Sequence, residues 1–313
     1  MLSQSSEPPS DSGAAAKAPV GRYYDVGGRQ LLLHRSGTGG PAVVFLPGGG
    51  AVGLDYLNVQ RGVAKVTTSV VYDRAGTGWS DSVGLPRTLA EVTDELRGLL
   101  GVAEVPPPYV MVGHSLGGLY ARHYAQRFPQ EVSGMVLLDP AHEEYNAYMP
   151  KELVDQWAAW DPGEALPEEL PAELIKFYRA LFDQEMTDWP EEIRQVLVER
   201  HVSLAWLRAS LQEATNVEQL YDEVRNAGPM AGVPLIILTS MDIDPFKAAV
   251  SQGTSESLLR EEIEGKRRLY TTWARSMHGE NRLIEDVGHV TLHFRRPDAV
   301  LQAIRDLLDR PDK

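Results

Sequence analysis

The chain has no cysteine among its 313 residues. That removes disulfides, thiolate metal centres and a cysteine nucleophile, and it leaves the redox compartment without a marker. Long apolar runs are missing as well: the longest candidates, residues 42–47 and 233–239, fall far short of the ~20 residues that a membrane-spanning helix needs. Basic residues are scarce, 30 Lys and Arg against 44 Asp and Glu, for a net charge of −14. No basic stripe offsets this, which opposes binding to the phosphate backbone of nucleic acid. The first twenty residues, MLSQSSEPPSDSGAAAKAPV, have neither a basic start nor an apolar centre. Residues 1–20 are therefore expected to be a disordered lead-in and not a secretory signal. A cytoplasmic protein without nucleic-acid or membrane partners is the expectation, and the oligomeric state is left open.

What is present is enough apolar material, 43% of the residues, for a large folded core. Residues 23–26 and 31–34 flank Gly27-Gly28 as a hairpin would. Short strand patterns follow at 42–46, 69–73, 109–113, 134–139, 235–239 and 282–285. Helical patterns lie between several of them, the best marked opening at Thr88 with Glu91 three residues on and ending near Gly101. In that capping box the two side chains satisfy each other's free amides. Strands alternating with helices imply an α/β fold: a mainly parallel, eight-stranded sheet covered on both faces.

The alternation stops between Asp139 and Val233. Residues 141–232 read as a helical lid inserted into a core made of 21–140 and 233–313, with 191–208 the clearest helical run. The insertion holds four of the six tryptophans, Trp157, Trp160, Trp189 and Trp206, and sets 7 basic residues against 19 acidic ones. Solvated outer faces account for such an imbalance, and its aromatics serve packing or a substrate pocket.

At residues 109–118, YVMVGHSLGG, a strand pattern runs into Ser115, with Gly113 and Gly117 two positions to either side, and then into a helix. A serine hydroxyl needs a base to take its proton and must stand clear of its own backbone to reach a carbonyl. A strand–turn–helix corner supplies that exposure, and the helix start aims amides at a developing oxyanion.

Together with three further stretches, this corner resembles the α/β-hydrolase superfamily. The others are Phe45-Leu46-Pro47-Gly48-Gly49-Gly50, the run from Tyr72-Asp73-Arg74 to Trp79-Ser80-Asp81, and Gly288-His289 followed by Arg296-Pro297-Asp298. The motifs occur in the family's order, and the resemblance spans residues 22–308. It is to the branch with a lid after the sixth strand, which includes esterases, lactonases, carbon–carbon bond hydrolases, aminopeptidases and cofactor-free haloperoxidases. The resemblance implies Ser115 as nucleophile, His289 as base, and the backbone amides of Gly49 and Leu116 as the oxyanion hole. The acid stays open among Asp139, which ends the sixth strand pattern, and Asp242 and Asp244, which follow the next. Most family members resemble the later arrangement. Asp139 is preferred because it stands directly at a strand end and because the later loop departs from the usual Gly-Asp-x-Asp spacing.

By the same resemblance, Asp73 to Asp81 is a structural loop without chemistry; His114, beside the nucleophile, reads as a shaping residue. His293 belongs to a following helix and not to a metal pair. No cofactor or metal is expected, and the partner is a small-molecule acyl substrate. The leading expectation is a serine hydrolase cleaving carboxylic esters, or related acyl bonds, of small neutral substrates through an acyl-enzyme. A proline-type aminopeptidase and a non-catalytic ligand receptor on the same fold are the alternatives.

Overall fold

The computed structural model describes residues 17–160, 168–230 and 232–310, so residues 1–16 of the expected lead-in lie outside the described residues. Ala18 and Val20, the end of that segment, pack against the core. Arg22–Val26 (β1) and Arg29–Ser36 (β2) form the expected hairpin, turning where Gly27 and Gly28 take φ of 62° and 86°. Such left-handed values suit a residue without Cβ. Ala42–Leu46 (β3), Ser69–Tyr72 (β4), Tyr109–His114 (β5), Val132–Leu138 (β6), Leu235–Ser240 (β7) and Glu280–Ile284 (β8) complete the sheet. Its order is β1-β2-β4-β3-β5-β6-β7-β8, with β3 to β8 parallel and β2 antiparallel to both neighbours.

Helices cover both faces because the central strands are apolar on both. Leu57–Val63 (α1), Leu89–Val102 (α2) and Leu116–Arg127 (α3) follow β3, β4 and β5. The insertion after β6 contains Tyr145–Tyr148 (α4), Lys151–Ala158 (α5), Ala172–Glu185 (α6), Glu191–His201 (α7), Leu204–Glu213 (α8) and Val217–Asn226 (α9). Pro245–Val250 (α10), Glu256–Ser276 (α11), Leu292–Arg295 (α12) and Pro297–Leu308 (α13) complete the described helices. Val44, Leu46, Met111 and Leu137 pack with α2, α3 and α9 on one face, while Val43, Phe45, Val112 and Val136 pack with α1, α7 and α13 on the other. This is the two-residue period of a strand buried on both sides.

The capping box at α2 forms as its spacing predicts: Thr88 Oγ1 accepts from the Glu91 amide at 3.2 Å, and the Thr88 amide donates to Glu91 Oε2 at 2.8 Å. The single run expected at 191–208 is two helices. The first ends at His201, and Ser203 caps the second, its Oγ accepting the Trp206 amide at 3.2 Å, as a serine at a helix start does. Among the described residues the insertion contains no strand, and no described helix is long and apolar enough to cross a membrane. The parallel strands bring their C-terminal ends to one rim. There stand the Gly48–Gly50 loop after β3, Ser115 after β5, Asp139 after β6, Asp242 and Asp244 after β7, and His289 after β8.

Candidate active site

Ser115 sits between β5 and α3 with φ 51° and ψ −120°, a sparsely populated conformation for a residue with a side chain. Packing holds it there. The Ser115 amide donates to Leu138 O at 3.1 Å, and Ser115 O accepts from Gly118 and Ala141 amides, both at 2.9 Å. A Cβ on Gly113 would lie 2.6 Å from Gly117 O, and one on Gly117 would run into Leu46 O. The two glycines therefore let the helix start, the strand and the β3 loop close on one another.

His289 Nε2 lies 3.0 Å from Ser115 Oγ, and His289 Nδ1 lies 2.7 Å from Asp139 Oδ2. The imidazole side chain is 38% exposed and the Asp139 side chain 0%, so the hydrogen-bond chain runs from a partly exposed ring to a sealed carboxylate. Burial pushes the Asp139 carboxyl up, but the Lys266 ammonium and the His289 hydrogen bond outweigh it and hold the group well below the usual range. Asp139 also takes φ 44°. It does not cap the turn behind it, because the Ala141 amide donates to Ser115 O instead.

The other two carboxylates are engaged elsewhere. Asp242 Oδ1 accepts its neighbour Ile243's amide at 2.8 Å and faces Arg260 at 3.4 Å. Asp244 caps α10 through the Lys247 amide at 2.7 Å, and its Oδ2 accepts the Val290 amide at 2.7 Å. Asp244 thus braces the chain next to His289 without meeting its ring.

Opposite the relay, the Gly48–Gly50 loop presses on Ser115: a Cβ on Gly48 would stand 3.3 Å from Ser115 Cβ, and one on Gly49 3.7 Å from Leu116 Cδ2. Among the described residues, the Gly49 and Leu116 amides donate to no acceptor within the chain. The loop is held from behind. Arg74, 1% exposed, donates to Pro47 O at 2.7 Å and Gly48 O at 2.9 Å and pairs with Glu213 of α8 at 2.8 Å. Glu213 Oε2 accepts the Gly50 amide at 2.8 Å, and Trp206 Nε1 donates to Gly50 O at 2.7 Å. The Asp73 to Asp81 loop, expected to lack chemistry, therefore contributes the side chain that shapes the glycine loop. Asp73 itself stays structural, accepting the Gly53 and Trp79 amides at 2.8 Å each.

His114 binds Tyr56 Oη through Nδ1 and His289 O through Nε2, both at 2.9 Å. A carbonyl only accepts, so Nε2 carries the proton and Nδ1 accepts from the tyrosine. Burial first, and His289's proximity second, lower His114 to about 3, keeping it neutral while it fixes the histidine loop. His293 is buried in α12, stacked on Tyr56 at 4.3 Å, with neither ring nitrogen bonded. Burial holds it far below the ordinary histidine range, and no group of three potential metal ligands occurs among the described residues.

Three insertion carboxylates are bound by core arginines: Glu143 by Arg122 at 2.7 Å, Glu213 by Arg74 at 2.8 Å, and Glu185 by Arg295. The insertion aromatics divide too. Trp189 is buried and donates to Leu54 O at 2.9 Å, Trp206 packs on Tyr178, and Trp160 is 53% exposed. A surface cavity of about 770 Å³, lined by Asp94, Arg97, Tyr109 and Glu131 among others, opens at the other end of β5 from Ser115.

Sequence reasoning missed Arg74 as a loop clamp, and it missed Glu213, Ser240 and Lys266. Lys266 alone left a readable signal. With Glu262 it interrupts the buried apolar stripe Leu259, Ile263, Leu269 and Tyr270 of α11, where a lysine needs a partner.

Residues 43–303 match the alpha/beta hydrolase family. The uncharacterized protein YbdG of Bacillus subtilis is 29% identical over 128 residues, covering 40% of this chain and 39% of YbdG. The match thus spans well under half of that relative's length. Among solved structures, Est816, described as an N-acyl homoserine lactone degrading enzyme, aligns with a TM-score of 0.59 at 20% identity, covering 91% of this chain and 99% of its own. A thermophilic esterase from Thermogutta terrifontis aligns with a TM-score of 0.57 at 20% identity, covering 90% and 93%. At these identities the two structures speak for the fold.

Proposed function

The chain belongs to the alpha/beta hydrolase family, and from that premise we propose that it is a serine hydrolase cleaving carboxylic esters of small neutral substrates. The observation that carries this reading is the unbroken hydrogen-bond chain Ser115, His289, Asp139 beside two uncommitted amides. His289 Nε2 takes the Ser115 proton as Oγ bonds to the ester carbon. The carbonyl oxygen, now negative, accepts from the Gly49 and Leu116 amides. The imidazolium gives its proton to the leaving alkoxide oxygen, the carbon–oxygen bond breaks, and an acyl-serine remains. Water then loses a proton to His289 and adds to the acyl carbon. Collapse releases the acid and returns the proton to Ser115. Asp139 holds Nδ1–H throughout, which presents Nε2 as the base and stabilises the imidazolium. No cofactor takes part in these steps.

We assign residues 141–232 the role of a lid on this rim, supported by α8 lying against the glycine loop through Glu213 and Trp206. The aminopeptidase alternative needs insertion carboxylates free to hold a substrate ammonium, and three of the 19 acids, Glu143, Glu185 and Glu213, are already paired with arginines.

The test is hydrolysis of p-nitrophenyl acetate and butyrate, with fluorophosphonate labelling of Ser115. Ser115→Ala and His289→Ala are each expected to lower turnover by several orders of magnitude, leaving at most about 10³ to 10⁴ over water. Wild-type rates in either purified variant, or an unlabelled Ser115, would remove the mechanism.

A further inference from the structure

Asp139 does not serve His289 alone. Its Oδ2 lies 2.7 Å from His289 Nδ1, 2.7 Å from Lys266 Nζ and 2.9 Å from Ser240 Oγ. The ammonium also donates to Ser240 Oγ at 2.9 Å, and the Ser240 amide reaches Oδ1 at 3.2 Å. Lys266 is 6% exposed. A buried ammonium needs a counter-charge in contact, and Asp139 supplies it. A triad carboxylate ordinarily faces one imidazole with a full negative charge. Here that charge is matched by a cation before any proton reaches the ring.

We propose that Lys266 is a positioning residue for the Ser115, His289, Asp139 relay. It fixes the acid by direct contact, and its charge offsets the pull of the carboxylate on a proton at His289, so that hydrolysis extends to lower pH than it would without the ammonium. This rests on the serine-hydrolase reading for the word hydrolysis, but the electrostatic effect on His289 is measurable without turnover.

The surrounding groups do not replace the ammonium. His114 on β5 and His293 on α12 are neutral, their burial and mutual proximity to His289 keeping both low. Tyr145 on α4 and Tyr270 on α11 are phenols pushed well up by burial. Glu262, the next carboxylate on α11, pairs with Lys247 at 2.8 Å. Ser240 donates a hydrogen bond but no charge. Lys266 is thus the cation in contact with the acid.

The experiment follows the His289 imidazole by NMR titration, assigned against His289→Gln, in the wild type, Lys266→Met, Lys266→Gln and Lys266→Arg. Loss of a nearby cation favours the protonated imidazole, because a like charge disfavours it. The midpoint should rise relative to wild type in the Met and Gln variants and stay near it in the Arg variant. The acid limb of kcat/KM for p-nitrophenyl acetate should move the same way. The Gln variant keeps an N–H donor, on a side chain one atom shorter, without the charge, and the Arg variant keeps the charge. A wild-type midpoint in a folded Met or Gln variant overturns the proposal. Failure of both to fold also overturns it, by making Lys266 a stability residue alone. If the midpoint rises but the wild type shows no Ser115-dependent turnover, the charge effect stands and the hydrolase reading falls.

Discussion

The two sides of the site are each backed by a buried cation, and the cations differ in kind. On the side of the proposed oxyanion hole Arg74 spreads its planar fork over two carbonyls, Pro47 O and Gly48 O, and one carboxylate, Glu213. On the acid side Lys266 brings a compact charge to a single carboxylate oxygen and a hydroxyl. A guanidinium suits the first task because its five donors have fixed directions, whereas an ammonium acts as a point charge with little directional demand. The difference teaches that one side is built for shape and the other for charge. Arg74 touches no member of the relay, so its removal should disturb where the oxyanion sits. Lys266 touches the acid itself, so its removal should disturb when the histidine is ready.

The sharpest break on the charge side is the acid. Asp139→Asn keeps the shape but favours the wrong imidazole tautomer, which costs about 10⁴ in kcat in a serine-protease triad. A loss of that order is expected here, while Asp242→Asn, in a loop bonded to Ile243 and Arg260, should stay within a few-fold of wild type by the same comparison. Abolished turnover in Asp242→Asn with Asp139→Asn active would move the acid to the later loop. On the shape side, Glu213→Ala leaves Arg74 buried without its anion and frees the Gly50 amide. Breaking such a pair costs about 3 to 5 kcal/mol in stability. Loosening one oxyanion donor should lower kcat by up to about 10² with KM little changed. Thermal melts and steady-state kinetics read both. A kcat unchanged at full stability would separate α8 from the glycine loop.

The sheet, the hairpin, the capping box and the strand-end placement of Ser115, Asp139 and His289 were legible because each rests on local pattern: apolar runs of strand length, glycines at close approaches, a carboxylate where a strand stops. The split at Ser203 was not, since a serine inside a helical period reads equally as surface or cap. The two cations were hidden for a different reason. Arg74 and Glu213 stand 139 residues apart, and Lys266 and Asp139 stand 127 apart. Nothing local marks such partners except, for Lys266, a charge on an apolar stripe.

The smallest expected effect concerns the charge of the insertion. Its 19 acidic and 7 basic residues suggest an entrance that repels anions, but the structure changes the weight of that argument. Glu143, Glu185 and Glu213 are bound to core arginines, so part of the imbalance is spent on holding the insertion to the core. Other acids pair within the insertion itself, as Asp155 with Lys151 and Glu199 with Arg179. A charge left in solvent acts weakly, since a pair of unit charges 4 Å apart is worth only about 1 kcal/mol in water. A neutral short-chain ester should therefore be preferred over a dicarboxylate monoester of similar size by no more than about tenfold in kcat/KM at low salt. Screening should shrink that preference toward parity as the Debye length falls to about 3 Å at 1 M salt. Equal kcat/KM at low salt would place the surplus carboxylates on faces turned away from Ser115, and a preference that survives 1 M salt would point to a carboxylate inside the pocket.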